Sequence, residues 1–162
     1  MTAMEAWRDF NAAMVGATAA LAGLAIVASS VNISAIIKAT SLTARLAASI
    51  ASLMMALTAS AVGLFPRLSL PTLGFVVLAA ALASAVFQTS AARRIMQNAA
   101  TGNGQRTANI IIGFLPVSAY FAGGILLIST QPSGLIAVAT GTLLAIFSAV
   151  VVSWVVLVEV LR

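Results

Sequence analysis

The side chains able to do chemistry in this chain are few and widely spaced. Among 162 residues there is no histidine and no cysteine. The commonest general base, the commonest metal ligand and the thiolate nucleophile are therefore all missing. The only acids are Glu5, Asp9 and Glu159, and the only lysine is Lys38. Hydrolysis inside a membrane needs a pair of aspartates, a metal cluster or an activated serine. None can be assembled here unless a serine finds Lys38, which falls between apolar runs. The residues argue against an enzyme, and no cofactor or metal site is expected.

What the chain does offer is a layer of polar side chains near the ends of apolar runs. Asn32 closes the first run, Gln88 stands near the end of the third, Asn109 opens the fourth, and Glu159 comes from the fifth. These residues fit either a small vestibule or helix ends among lipid headgroups. Glu159 raises its own question. An anion at a helix C-terminus opposes the macrodipole, so a cation must favour it. Arg162 is three residues on, one helical turn away. Arg45, Arg93, Arg94 and Arg106 are alternatives.

The elements that carry these residues are set by hydropathy. Hydrophobic residues make up 62% of the chain and charged residues 7%, against roughly 45–50% and about 25% in a soluble domain. A crossing of the bilayer takes about 20 apolar residues. Five runs qualify, at about 12–31, 46–65, 73–92, 110–128 and 135–158, and none contains Asp, Glu, Lys or Arg. Continuous runs exclude the alternating pattern of a transmembrane barrel. The sequence predicts an all-α integral membrane protein, a single bundle of five transmembrane helices. Pro66 and Pro71 punctuate one connection and Pro132 another. The stretch 93–107 reads as a helical extension followed by a mobile loop.

Charge gives the expected orientation. Lys38, Arg45, Arg93, Arg94, Arg106 and Arg162 share one side, and only Arg8 and Arg67 fall on the other. The positive-inside rule then puts the N-terminus outside and the C-terminus in the cytoplasm. The basic loops should attract anionic headgroups of the bilayer. No basic stripe or aromatic platform suggests nucleic acid.

Small residues mark helix faces. Ala137, Gly141, Ala145, Ala149 and Ser153 recur every four residues in the fifth run, and Gly16 and Gly23 mark a similar face in the first. Such faces let helix backbones approach closely, either within one chain or between chains. The fourth run holds Gly113, Pro116 and Tyr120. Pro116 lacks an N–H and deprives the Ile112 carbonyl of its helical partner, so a kink is expected. That kink is either a packing feature or part of an ion or substrate site.

Trp7-Arg-Asp-Phe10, the Gly16 to Gly23 stretch, Ser30-Val-Asn32 and the ending Ser153-Trp154 through Glu159 to Arg162 resemble a family of small five-span membrane proteins of high-GC Gram-positive bacteria. Some members bear the label modulator of a membrane-bound AAA protease. The resemblance implies a multi-pass protein of a bacterial plasma membrane. It marks Trp7, Phe10, Gly16, Gly23, Asn32, Trp154, Glu159 and Arg162 as the matching positions. The expected function is a structural or interaction protein that associates through its small-residue faces, as a homo-oligomer or with a membrane partner. The alternative is an oligomeric channel or small-solute transporter with a path lined by serine and threonine. If Glu159 pins the last helix, Glu159→Gln will lower the melting temperature in detergent. An unchanged value would mark it as solvated.

Overall fold

The computed structural model describes residues 4–31, 33–34, 40–97 and 103–160. After a 3-10 turn at Glu5–Trp7 come α1 (Arg8–Val31), α2 (Thr40–Val62), α3 (Leu70–Gln97), α4 (Asn103–Ile128) and α5 (Ser133–Val160). All five are long and apolar enough to cross a membrane. At 1.5 Å per residue, 23 to 28 residues span about 35–42 Å. That exceeds a hydrocarbon core of roughly 30 Å.

The helices overrun most of the apolar runs, because hydropathy marks only the dry part of a helix. α2 begins at Thr40 and so includes Arg45; α4 begins at Asn103 and includes Arg106 and Asn109. The mobile loop expected after the third run is helical again from Asn103. Only the end of α2 falls short, at Val62 rather than Phe65. There Leu64 and Phe65 donate to carbonyls three residues back, and Pro66 disfavours further α-helix at Phe65.

Local chemistry explains the remaining ends. Ser69 caps α3: its Oγ accepts the Thr72 N–H at 3.3 Å, which satisfies an orphan donor of the first turn. α4 closes with paired bonds from Thr130 N–H to Leu127 O and from Gln131 N–H to Leu126 O, each 2.9 Å. This is a Schellman closure. Thr130 occupies its left-handed position at φ 59°, a costly place for a β-branched residue.

Helices α2, α3, α4 and α5 pack in a ring, each against its two neighbours, with little contact across the diagonal from α2 to α4. α1 lies outside the ring on α2 and touches α5. Neighbours run antiparallel, as their contacts require. The start of α3 meets the end of α4 at Gly74 and Gly124; the end of α4 meets the start of α5 at Gly123 and Gly134. A Cβ on Gly74 would lie 2.8 Å from the Gly124 carbonyl oxygen, and one on Gly134 would lie 2.8 Å from the Gly123 carbonyl oxygen. Adjacent glycines thus let α4 touch backbone on both sides.

The core comprises Met55, Ala56, Leu73, Val77, Val117, Tyr120, Leu127 and Ala145 among others. Ala22, Leu53 and Ala149 tie α1 to α2 and α5. The outside is apolar: Phe75, Leu82, Ile125, Leu143, Phe147 and Trp154 are all more than half exposed. The inside holds Thr18, Ser49, Ser52, Ser60, Ser84, Gln88, Thr142 and Ser148. That distribution suits hydrocarbon solvent.

Two substitutions check this description in detergent melts. Gly134→Ala forces a methyl into backbone and is expected to cost about 1–3 kcal/mol. Thr130→Gly relieves the left-handed residue and is expected to raise stability by about 0.5–1 kcal/mol after the added freedom of the unfolded chain is deducted.

Candidate functional site

The polar side chains gather at the Arg45 end of the ring, opposite the glycine crossings. Arg45, Ser49 and Ser52 repeat at helical spacing and lie along one face of α2. Gln88 of α3 reaches across to that face. Its Nε2 donates to Ser52 Oγ at 3.0 Å and to the Ala48 carbonyl at 3.3 Å. A carbonyl can only accept, so the amide nitrogen must point toward α2. The amide oxygen then faces α4 at Gly113, where a Cβ would stand 2.6 Å from Gln88 Oε1. Glycine at 113 is what lets a glutamine fill this position while 6% exposed.

Asn109 stands one turn before Gly113 on α4. Arg45 Nη2 donates to Asn109 Oδ1 at 3.4 Å, a long bond that joins α2 to α4. Between these side chains and Ser148 of α5 is a cavity of about 30 Å³. Ser49 and Ser148 are buried at its wall, at 3% and 4% exposure. All four helices of the ring contribute to it.

A second polar contact lies deeper in the bundle. Tyr120 Oη is 2.7 Å from Thr142 Oγ1, and Thr142 Oγ1 donates its only hydrogen to the Val138 carbonyl at 3.1 Å. Tyr120 is therefore the donor. Its ring packs over Gly141, whose Cβ would be 2.9 Å from Cδ2. Between the cavity and the glycine crossings the interior is filled by Val77, Val117 and Tyr120, each at 2% exposure or less.

The sequence-marked residues thus separate into groups. Gln88, Asn109 and Gly113 come together. Tyr120 joins Gly141, a residue of the α5 small face. Pro116 is buried, and α4 continues through it as one helix. Of the α5 face, Gly141, Ala145 and Ala149 are buried in contacts within the chain, and Ala137 and Ser153 are half-buried. Gly16 and Gly23 are exposed on α1. Asn32, Arg162 and the side chain of Glu159 lie outside the described residues. Composition alone did not single out Ser49, Thr142 or Ser148 for a polar site. The available signal was the Arg45, Ser49, Ser52 spacing, which puts three polar groups on one face of α2.

Comparison with protein-family models, with curated proteins and with solved structures finds no match. The likeness of the two chain ends to a family rests on their residues alone. Of those residues, Trp7 and Phe10 meet edge to face, with ring centroids 5.6 Å apart, and Trp7 also packs against the core.

The proton count at Tyr120 gives an asymmetric expectation. Tyr120→Phe leaves Thr142 bonded to Val138 and costs about 1 kcal/mol. Thr142→Val strands a buried phenol hydroxyl and costs about 1–3 kcal/mol. Thermal melts of the two variants in one detergent check the order.

Proposed function

We propose that the protein is a membrane-embedded interaction protein that uses α1 as its contact helix, most directly with a second copy of itself. The supporting observation is the unequal use of glycine. Gly63, Gly74, Gly113, Gly123, Gly124, Gly134 and Gly141 each have a neighbouring atom within 3 Å of where a Cβ would stand; Gly16 and Gly23 have none within 4 Å. Glycine in a helix interior costs about 1 kcal/mol relative to alanine. Elsewhere in the bundle close contact offsets that cost, except at Gly104 in the first turn of α4. In the interior of α1 nothing among the described residues does.

Gly16, Ala20, Gly23 and Val27 form one narrow ridge by their 4-3-4 spacing, and all four are exposed. α1 is also the least enclosed helix, with 17% of its apolar window buried against 50% for α2. A ridge of small residues suits close helix pairing in lipid. The outward hydroxyls of Thr58, Ser90, Ser118 and Thr140 each bond a carbonyl of their own helix. They present a lipid-compatible surface rather than a hydrated lining, which favours association over conduction. In this reading Arg45, Arg93, Arg94 and Arg106 face the cytoplasm and its anionic headgroups. The membrane is the bacterial plasma membrane that the resemblance implies. Modulation of another membrane protein would act through the same ridge.

The absence of cysteine makes the test direct. Ala20→Cys in membranes is expected to give an oxidised dimer, and Leu82→Cys on the far side of the ring is not. Adding Gly16→Leu should abolish the Ala20→Cys dimer without lowering the melting temperature of the monomer, because a Cβ at Gly16 has no neighbour within 4 Å and leucine is the better helix former. Equal crosslinking at both cysteine sites would remove the proposal.

A further inference from the structure

We infer that the cavity among α2, α3, α4 and α5 is a water-binding site, with Ser49 Oγ as its principal ligand. Ser49 is 3% exposed, and its Oγ has no hydrogen-bond partner among the described residues. A buried hydroxyl without a partner is costly, and it has an easy remedy on a helix. Ser29, Ser30, Ser90, Ser129 and Thr140 each turn back to bond the carbonyl four residues earlier. Ser49 does not take that bond and lies instead on the cavity wall.

The cavity meets both conditions for hydration, room and polarity. Its volume of about 30 Å³ leaves room for at least one water molecule, and a buried water needs two to four polar partners. Ser49, Gln88, Asn109 and Ser148 line the space. Gln88 commits its amide nitrogen to α2 and turns its acceptor oxygen toward Gly113, at the same wall. A water here bonds Ser49 and connects α2 to groups on the other helices.

Ser84 supplies the contrast. Its Oγ is equally buried and without a partner, but it borders an apolar groove with Met54, Met55, Ala80 and Phe87. That groove has room for water, but its one other polar side chain, Thr58, already donates its hydrogen to the Met54 carbonyl, so a water there is held by fewer groups than at Ser49.

Crystals of the wild type and of Ser49→Ala grown from a lipidic phase, at a resolution that shows water, decide the matter. The wild type should show a water within hydrogen-bond distance of Ser49 Oγ, and Ser49→Ala should lose or displace it. An empty wild-type cavity, or a water unmoved in the variant, overturns the inference. If the variant does not crystallise, the wild-type map decides alone. Detergent melts give a second readout. Ser84→Ala should raise the melting temperature by removing an unpaired hydroxyl, and Ser49→Ala should not. An equal rise for both would also overturn the inference.

Discussion

In hydrocarbon, burying an apolar side chain against another helix gains little over leaving it against lipid. A bundle in that medium is held by how closely its helices approach and by the hydrogen bonds they exchange. Here the approach is set at two adjacent residues. Gly124 brings α4 onto α3 at Gly74, and Gly123 brings it onto α5 at Gly134. These backbone contacts fix the depth of three helices relative to one another. With that register set, Tyr120 stands over Gly141 and Gln88 stands opposite Gly113. The polar contacts are consequences of the glycine crossings.

The hydrogen bonds then act as markers of register. Gln88 joins two helices by donation and fits a third by shape. Tyr120 joins α4 to α5 through a hydroxyl already committed to its own helix. Each link is worth little in isolation, about 1 kcal/mol. Each nevertheless disfavours a helix that slides by one turn, since the position facing Gln88 on α4 would then carry the side chain of Asn109 or Val117 in place of Gly113. Away from the α1 ridge the outer surface carries no comparable constraint and is rich in exposed Leu, Ile, Val and Phe.

Much of this was legible in the sequence. Length and continuity of the apolar runs specify five helices, and Pro66, Pro71 and Pro132 mark where one closes and the next opens. Boundaries were less legible because hydropathy does not register the ends of a helix outside the dry zone, as Arg45 and Arg106 show. The small-residue faces were visible, but not their occupants. Ala145 and Ala149 carry the same signal as Gly16 and Gly23, yet the first pair is buried within the chain and the second is open. One-dimensional spacing cannot separate these fates, which depend on where α1 lies relative to the ring. The pairing of Gln88 with Ser52, 36 residues apart, was likewise invisible. The sequence marks Gln88 as unusual but does not name its partner.

The placement of α5 has a consequence for biogenesis. The ring closes where α5 meets α2, and the cluster of Ala22, Leu53 and Ala149 joins the first helix to the last. A nascent chain emerging in order can pair α1 with α2, then α2 with α3, then α3 with α4. It cannot shut the bundle until the C-terminal helix leaves the ribosome and insertion machinery. Until then the Leu53 side of α2 lacks the cover that Ala149 supplies. The intermediate with four helices inserted therefore lacks one wall of the ring, and quality control has an open helix flank to recognise at that stage.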